Sequence, residues 1–402
     1  NERNGVLGSL SANAKYHFDS RGTNYVKTGV RFRRQTAEEV GGDRRWQYAG
    51  PDGVLGVNPA TVRNDDDLSL FQFKGVQTTE SLRNGPIPYT HVGYVAEHVK
   101  ENPTHWIADR YYDESRKFLG TRRVTEDISS AYVMGGTRWR QLRAVAGMRF
   151  EETEVTGKGF VRSRTLATAA AIPDPVQRAR TDYDNPRRIE GKYRQSFPGA
   201  YLTYNFSRTF LARANWSNSI GRPPFANLVP REDVNDQTQT LTVGNPALKP
   251  QFAENIDFTL EYYFEPVGAF SVGVFRKDLQ DFIVSLGGQT VPNSPDNGFG
   301  GSYGGYNLVT DLNGGRARIQ GIELSYQQQL TFLPGALRRL SFFANYTRLT
   351  TEGDYGSTGP RTTNLVPNFV PTTANAGLSF PWRKFRSRLL VNHTGEYLVG
   401  YS

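Results

Sequence analysis

Residues 255–281 alternate between apolar and polar side chains, with one tight turn predicted at residues 265–268. The apolar positions of the first run are Ile256, Phe258, Leu260, Tyr262 and Phe264, and those of the second run are Phe270, Val272 and Val274. Side chains of a β-strand point alternately to opposite faces of a sheet. The pattern therefore predicts a two-stranded ribbon with one apolar face and one polar face.

The same alternation recurs along the chain in about a dozen runs, each near the ~9–11 residues that a tilted strand needs to cross a bilayer. Further runs begin at Leu142, Phe210, Leu340 and Ala374. Their polar faces carry arginines such as Arg149, which would be very costly to bury unpaired but cost little beside a water-filled lumen. The repetition predicts an all-β fold, a transmembrane antiparallel β-barrel with lipid on one side of its wall and water on the other.

The connections between these runs alternate in length. Long polar segments occupy residues 38–118, 157–192, 221–250, 286–305 and 353–368, and short turns lie between them. Bacterial outer-membrane barrels have short periplasmic turns and long extracellular loops, so the alternation assigns the long segments to the cell exterior. Aromatic residues gather beside the short turns, as they do in the interfacial girdle of such barrels.

The longest segment, residues 38–118, is predicted to carry structure of its own, because bare loops of that length are uncommon. We expect a short helix at residues 91–100, with Thr90 as its N-cap and with its end at Asn102. Residues 1–402 are otherwise expected to form part of a single barrel domain. A barrel has to close, since an open sheet edge in lipid leaves backbone groups unpaired. We therefore expect the chain to be a contiguous piece of a larger barrel.

Composition excludes several classes of protein. The chain contains no cysteine, which removes disulfide frameworks and cysteine nucleophiles, and no apolar stretch long enough for a transmembrane helix. Its formal net charge is +9, but the arginines are spread over turns and strands and are mixed with acidic residues. No nucleic-acid partner is predicted from that distribution. Contact with anionic lipid head groups or with an anionic ligand is the expected role of the positive charge.

Several motifs resemble the barrel of TonB-dependent outer-membrane receptors. The most specific are SNSIGRPPFANLVP at residues 217–230 and TVGNPALKP at residues 242–250. Shorter ones lie at residues 273–283, 321–323, 343–347 and 375–378. The resemblance spans most of the chain and is closest to the large branch often linked to oligosaccharide uptake. It implies a barrel of about 22 strands with a plugged lumen, of which this chain would supply about 12.

The resemblance also implies a location, a function and a set of partners. It places the protein in the bacterial outer membrane, in contact with lipid and lipopolysaccharide, as a receptor for energy-dependent uptake of a nutrient. A TonB complex would act through a plug domain that the 402 residues do not include. An oligosaccharide is the first expectation for the ligand and a ferric siderophore or haem is the alternative. No cofactor is implied.

A large polar ligand is expected to contact the external loops. Aromatic faces stack on sugar rings, while arginine supplies hydrogen bonds. The candidate ligand-binding residues are Trp46, Tyr48, Trp106, Tyr111, Tyr112, Arg222, Tyr303 and Tyr306. For each of them, packing against a neighbouring loop is the alternative role.

No metal site and no catalytic residue is predicted. His91, His98 and His105 recur every seven residues, which is too wide a spacing on a helix for one ion, and the acidic run at residues 64–67 lacks the spaced ligands of a calcium loop. The chain has no Gly-x-Ser-x-Gly element and no phosphate-binding glycine-rich loop. The rival classes are an outer-membrane hydrolase, using carboxylates such as Asp257, and a soluble β-rich adhesin.

Overall fold

A computed structural model describes residues 2–19, 23–73, 89–90, 92–245, 247–264, 267–354 and 364–399. The chain divides into two compact units. One consists of Asn1–Asn4, Glu38–Arg122 and Gly159–Arg187, and is called the loop unit below. The other consists of Gly5–Ala37, Arg123–Lys158 and Arg188–Ser402, and is called the sheet unit.

The chain contains many long strands and few helices. The strands are β1 (Glu2–His17), β2 (Tyr25–Val40), β3 (Trp46–Tyr48), β4 (Gln72–Phe73), β5 (Tyr89–Thr90), β6 (Trp106–Ala108), β7 (Arg122–Trp139), β8 (Leu142–Phe160), β9 (Pro186–Asn205), β10 (Phe210–Gly221), β11 (Glu232–Asn235), β12 (Thr240–Val243), β13 (Gln251–Phe264), β14 (Gly268–Thr290), β15 (Asn307–Gln329), β16 (Ser341–Asp354), β17 (Thr372–Trp382) and β18 (Phe385–Thr394). The α-helices are α1 (Val92–Glu101), α2 (Arg110–Leu119) and α3 (Pro175–Tyr183). Among the described residues, none of these helices is long and apolar enough to cross a bilayer.

The long strands form one sheet in the order β1-β2-β7-β8-β9-β10-β13-β14-β15-β16-β17-β18, with β11 and β12 beside β15. The β7–β8 pair and all neighbouring pairs from β9 to β18 are antiparallel. Each long segment predicted from the sequence joins two strands that are neighbours in this order. Within the described residues the sheet is open between β1 and β18. The predicted fold class, part of an antiparallel barrel wall, is confirmed.

One face of the sheet, called the outer face below, exposes a row of large apolar side chains. Phe258, Val274 and Ile322 are register neighbours on three successive strands, and they are 43%, 47% and 37% exposed. On the opposite, inner face, Ala317 and Ile319 of the same strand β15 are only 4% and 5% exposed. Exposed apolar area costs roughly 25 cal/mol per Å² in water, so the outer face requires an apolar environment. The predicted single-layer wall, rather than two packed sheets, is what the chain forms.

Two-residue loops close the hairpins β7–β8 and β17–β18. Arg140 and Arg383 occupy the first loop position, each with a φ of +52°. Positive φ at the centre of a two-residue loop matches the right-handed twist of the flanking strands, although glycine or asparagine usually supplies it. The turn predicted at residues 265–268 joins β13 to β14, and residues 265–266 lie outside the described residues.

Aromatic rings follow one another across the outer face beside the short turns. Phe206 stacks on Phe210 with ring centroids 4.8 Å apart, and Tyr262 stacks on Phe264 at 5.6 Å. Phe264 then contacts Tyr326 at 6.1 Å, which continues the row onto β15. Offset and edge-on ring pairs of this kind add about 0.5–1.5 kcal/mol each to the burial of their area. Rings at this level form the kind of girdle expected at a membrane interface.

The loop unit contains all three α-helices. Asp109 caps α2 by accepting the Tyr112 N–H at 2.9 Å, and Asp174 caps α3 by accepting the Val176 N–H at 3.1 Å. A side-chain oxygen at the N-cap satisfies one of the amide groups that the first turn of a helix leaves unpaired. Helix α1 occupies the place of the helix expected at residues 91–100, and His91 lies outside the described residues.

Candidate functional site

The segment between β10 and β13, residues 222–250, lies across the inner face of the sheet unit and is called the inner strap. Its Leu228, Val229 and Leu248 form a buried cluster with Val124 of β7 and Val155 of β8. Ile283 of β14 and Phe225 of the strap itself pack against the same cluster. Strands β7 and β14 are five spacings apart in the sheet, or about 24 Å along it. A segment that reaches both therefore crosses the inner face rather than following one strand.

Hydrogen bonds attach the strap to β15 on the far side of this cluster. Strand β12 of the strap pairs in parallel with the start of β15, with Leu241 opposite Leu308. The Asn313 side chain accepts the Lys249 N–H and donates to the Lys249 carbonyl oxygen, both at 2.8 Å. Asn245 donates to the backbone oxygen of Asp311 at 2.9 Å. These bonds satisfy the backbone of an irregular segment that would otherwise be costly to bury.

An ion network holds the first residue of the strap against β7 and β8. Arg222 Nε lies 3.3 Å from Glu126 Oε1, and a terminal nitrogen of Arg222 donates to Glu151 Oε2 at 2.7 Å. Arg149 donates to Glu151 Oε1 at 2.6 Å and to Ser130 Oγ at 2.7 Å. Glu126 is only 3% exposed. Two guanidinium groups and two carboxylates thus balance one another in a place where an unpaired charge would be strongly destabilising.

Gly157 of β8 makes the close approach of the strap possible. A Cβ atom at this position would lie 2.2 Å from the Leu228 carbonyl oxygen, well inside contact distance. We predict that Gly157→Ala lowers the free energy of unfolding by about 1–3 kcal/mol, because a backbone atom has to move. Urea unfolding of the full chain in lipid vesicles measures this. Gly273→Ala on β14 is the matched control, since its nearest neighbour, Thr259 Oγ1, is 3.6 Å away. Equal stability of the two variants would contradict the packing described.

In the loop unit, four rings surround His98. The Trp106 Nε1–H donates to His98 Nδ1 at 3.0 Å, and the Tyr48 and Trp106 rings are 5.0 Å apart. Phe71 lies 5.1 Å from His98 and the His105 ring lies 5.3 Å from it. Tyr48 and Phe71 are buried, so this cluster is the interior of the segment. Burial, together with the charges of nearby aspartates, raises the pKa of Tyr48.

The two histidines of this cluster lie in ring contact with each other. His98 uses Nδ1 to accept the Trp106 Nε1–H, so this nitrogen is already engaged within the cluster. Within the described ranges of the chain, no group of three or more His, Asp or Glu side chains is arranged to hold a metal ion. The seven-residue spacing of His98 and His105 instead brings two rings into one packed cluster.

A second aromatic group of the loop unit faces the solvent. The Arg45 guanidinium stacks over the Tyr112 ring, with Cζ 3.8 Å from the ring centroid, and the next residue, Trp46, is exposed. Arg45 also lies 3.8 Å from Asp109, and its N–H donates to Asp113 at 2.8 Å. Tyr112 is half-buried beneath Arg45, so the group combines one exposed ring, that of Trp46, with charges that are already paired. A surface of this kind offers stacking and hydrogen bonds without a net charge.

Tyr111 joins α2 to α3. Its hydroxyl donates to Asp182 Oδ2 at 2.6 Å, and Asp182 Oδ1 accepts the Ala167 N–H at 2.7 Å. Asp182 is completely buried. Burial and the bond to Asp182 raise the pKa of Tyr111, so it stays a neutral donor at all physiological pH values. The Tyr111 ring also contacts Arg178, since the Arg178 Cζ atom lies 5.0 Å from the centroid of that ring.

Tyr303 and Tyr306 lie together in the connection between β14 and β15. Their rings are 5.6 Å apart, and Phe299 lies 5.9 Å from Tyr303. The Tyr306 hydroxyl donates to Asp236 of the inner strap at 3.0 Å. Asn297 shapes the connection by donating to the Ser302 carbonyl oxygen at 2.8 Å and accepting the Phe299 N–H at 2.9 Å. Both tyrosine side chains are half-buried.

The eight predicted ligand-binding residues thus occupy different environments. Tyr48 and Trp106 meet in a packed cluster, and Tyr303 meets Tyr306. Trp46 is exposed, whereas Tyr112 is half-buried beneath Arg45. The two remaining residues, Tyr111 and Arg222, each bond to buried carboxylates. Sequence reasoning missed Arg45, Phe71 and the acids Glu126, Glu151 and Asp182. An arginine directly before Trp46 was the one visible signal for any of them.

Glu114 provides a pH-dependent contact inside the loop unit. It accepts hydrogen bonds from Lys117 at 2.5 Å and from Arg180 of α3 at 2.7 Å, and both bonds lower its pKa below the ordinary value of 4.5. A lowered folded-state pKa stabilises the fold at neutral pH, and this contribution is lost as the pH falls from the unfolded value through the folded one. We predict that residues 159–187 become more sensitive to an acid-active protease below about pH 4.5. The Glu114→Gln variant should be less stable than the wild type at pH 7, and its protease sensitivity should depend less on pH. A protease sensitivity with the same pH dependence as the wild type would contradict this role of Glu114.

Comparison with known proteins agrees with the geometry. The family model described as TonB dependent receptor-like, beta-barrel matches residues 2–401. A comparison with curated protein sequences found no significant match. Similar solved structures include the ferric-catecholate import receptor Fiu from Escherichia coli K12, with 13% identity and a TM-score of 0.51 over 94% of this chain and 42% of that one.

Two further structures show the same fold. The ferric citrate transporter FecA has 14% identity and a TM-score of 0.52, covering 98% of this chain and 42% of FecA. The haemophore receptor HasR of Serratia marcescens, solved with its haemophore HasA and haem, has 9% identity and a TM-score of 0.52, covering 97% of this chain and 51% of HasR. The chain thus spans about half the length of these structures. From the family match over its whole sheet, the chain belongs to the TonB-dependent receptors, which are outer-membrane β-barrel proteins of transport and not a class of enzymes.

Proposed function

We propose that this chain forms barrel wall and external loops of an outer-membrane receptor that takes up a scarce nutrient with energy supplied through TonB. The family match over residues 2–401 is the observation that carries the proposal. The exposed apolar row of Phe258, Val274 and Ile322 supports it, because that row requires lipid. The proposed partners are outer-membrane lipid, lipopolysaccharide and a TonB complex acting through a plug domain.

We propose an oligosaccharide as the ligand. In the loop unit, the exposed ring of Trp46 directly follows Arg45, and the cations near Tyr112 already have acidic partners: Arg45 lies 3.8 Å from Asp109, and Arg116 lies 3.8 Å from Asp43. A neutral sugar gains stacking and hydrogen bonds from such a surface, whereas an anionic ferric chelate requires cations that are free to pair with it. The contact residues proposed in the loop unit are Trp46 and Tyr112. In the sheet unit, Tyr303 and Tyr306 are proposed as a separate contact surface.

A ferric siderophore or haem is the second candidate. Fiu is an import receptor for ferric catecholate, FecA is a transporter of ferric citrate, and HasR is a haemophore receptor solved with its haemophore and haem. Their identities of 9–14% support the shared fold alone, so they favour this ligand class only as an alternative.

Titration calorimetry on the intact receptor in detergent, with a panel of glycans and a panel of ferric chelates, separates these candidates. We expect glycan binding, weakened about tenfold by Trp46→Ala combined with Tyr112→Ala, since each lost stacking contact is worth about 0.5–1.5 kcal/mol. Trp139→Ala is the matched control, because Trp139 is an exposed tryptophan at the short β7–β8 turn and is not one of the proposed contacts. Tight binding of a ferric chelate with no response to glycans would overturn the oligosaccharide proposal.

A further inference from the structure

The end of the sheet unit that carries the short turns, the periplasmic end in a receptor barrel, is strongly basic and is called the lower rim. Four stretches of this rim, residues 136–144, 205–211, 329–341 and 380–389, contain no aspartate or glutamate. Their ten cations are Arg138, Arg140, Arg143, Arg208, Arg338, Arg339, Arg383, Lys384, Arg386 and Arg388. All ten are exposed, and within the described residues none of them takes part in an ion pair.

The two other short connections of the rim each contain one acid. Asp19, between β1 and β2, accepts the Thr23 N–H at 2.8 Å and the Asn24 N–H at 3.0 Å, so its carboxylate is engaged within its own turn. Glu265, between β13 and β14, lies outside the described residues. Two acids against ten cations leave the rim with a positive charge.

Arginine occupies backbone positions in the rim that favour other residues. Arg140 and Arg383 each hold a φ of +52° at the first position of a two-residue turn. Glycine or asparagine adopts this conformation with less strain, so two turns break the same local rule with the same residue type. Arg208 lies in a third turn, which the Ser207 N–H closes by donating to the Phe210 carbonyl oxygen at 3.1 Å. Strain that recurs without a gain in local structure is typical of a functional site.

Part of the positive charge lies on the outer side of the rim. The Arg140 guanidinium stacks on Trp139, with Cζ 5.3 Å from the ring centroid, and Arg339 stacks on Trp382 at 5.4 Å. Trp382 lies on the outer face, in the row of alternate β17 residues whose register leads to Ile322. The electrons of an indole face attract a cation, so these contacts hold two guanidinium groups at the turns.

Another part of the charge lies on the inner side, which the wall separates from lipid. Arg138 and Arg143 are register partners on β7 and β8, on the same face as Arg149 of the inner network. Two like charges directly opposite each other destabilise a strand pair unless an anion lies between them. Arg388 stacks on Phe343, an inner-face residue of β16, with Cζ 5.6 Å from the ring centroid. The rim therefore presents cations on both sides of the wall.

The distribution of these cations favours a polymer below the membrane as their partner. The head groups of a lipid leaflet meet the outer side of a barrel wall and do not reach Arg138 or Arg143. Neighbouring turns are two strands apart, or about 10 Å along the rim. Charges that are spread over separate turns suit a flexible polyanion with repeated anionic groups. A folded protein partner is instead bound through one continuous patch with an apolar core.

We infer that the lower rim binds a carboxylate-bearing polymer of the periplasm, the peptidoglycan of the cell wall. Free carboxylates recur along its stem peptides, and a guanidinium binds a carboxylate through two parallel hydrogen bonds. Each turn contributes one or two exposed pairs, so the affinity is the sum of many weak contacts and falls with ionic strength. The inference goes beyond nutrient uptake but rests on the proposed outer-membrane location, which puts the short turns in the periplasm.

Co-sedimentation of the intact receptor, in a non-ionic detergent, with purified peptidoglycan sacculi tests this. The wild type is expected to sediment at low ionic strength and to be released by concentrated salt. Arg140→Asn combined with Arg383→Asn, and Arg138→Gln combined with Arg143→Gln, should each lower the affinity about tenfold, the factor that corresponds to 1.4 kcal/mol. Asparagine adopts a positive φ more readily than arginine, so the first variant should unfold no more easily than the wild type and still lose binding.

The matched control combines Arg63→Gln with Arg187→Gln, which removes two exposed arginines from the long external segments. This variant is expected to sediment like the wild type. Sacculi whose carboxylates have been converted to amides should not retain the receptor, because a neutral amide forms no charge-assisted bond with a guanidinium. Heat-modifiable mobility in gels, measured on the same samples, reports whether each variant is folded.

Four results would overturn the inference: equal sedimentation of the wild type and both rim variants, equal loss in the control, retention on amidated sacculi, or preference for phosphatidylglycerol vesicles over sacculi. The last result would identify lipid head groups as the partner. A receptor that folds in the outer membrane and binds its nutrient but does not bind sacculi sinks this inference alone. A receptor absent from the outer membrane sinks the proposed function.

Discussion

Arg222→Ala is expected to lower the free energy of unfolding by about 3–5 kcal/mol, because it leaves a buried carboxylate without its partner. Glu126 is 3% exposed, and its ion pair among the described residues is the one with the Arg222 guanidinium, at 3.3 Å. Glu151 keeps Arg149 at 2.6 Å after the substitution, so Glu126 carries most of the expected cost. Urea unfolding in lipid vesicles, followed by tryptophan fluorescence, measures the change.

Arg231→Ala is the matched control for this prediction. Arg231 also belongs to the inner strap and pairs with Asp233 at 2.6 Å, but both side chains are partly exposed. Exposed pairs contribute about 0–1 kcal/mol, so this variant should remain close to the wild type. If Arg222→Ala were no less stable than Arg231→Ala, Glu126 would have to be hydrated, and the network would not hold the strap.

Phe258→Arg is expected to destabilise the folded chain in a bilayer by about 2–4 kcal/mol, because it places a charge on the lipid-facing wall. Phe258 lies in the middle of β13 on the outer face, in register with Ala214 and Val274. The adjacent Thr259 points to the inner face, so Thr259→Arg adds the same charge one residue away on the opposite side of the wall. Folding free energies of both variants in vesicles provide the comparison.

The sign of the difference between these two variants decides which face contacts lipid. The wall described here requires Phe258→Arg to be the less stable of the two. The reverse order would mean that the inner face is in contact with hydrocarbon. Similar losses for both variants in detergent-free buffer would indicate a soluble sheet with two buried faces, and the membrane assignment would fail.

The strands and their facing could be predicted from the sequence because the signal is local. A period of two residues, repeated over a run such as residues 255–264, is sufficient to fix a strand and assign its faces. The length of a connection can be counted directly as the number of residues between two alternating runs. The predicted long segments therefore match the connections β2–β7, β8–β9 and β10–β13. Each of these inferences uses residues within one strand or its immediate neighbours.

The surroundings of the candidate residues could not be predicted, because their partners are distant in sequence. Arg222 meets Glu151, 71 residues away, and Tyr111 meets Asp182, also 71 residues away. An arginine or tyrosine in a polar segment has the same local pattern whether its side chain faces a ligand or a buried carboxylate. Only the fold decides between the two, since it determines which loops return over the sheet.

The two attachments of the inner strap have a mechanical consequence. The strap is fixed by Arg222 to β7 and β8 at one end and by the Lys249–Asn313 bonds to β15 at the other. Because the strap has a fixed length and is attached at two separated points, it limits how far the sheet between those points can curve or flatten. The wall from β8 to β15 could flatten or widen only if the inner strap were stretched or detached at one end. The bore along that part of the wall is therefore determined by one irregular segment as much as by the strands that it spans.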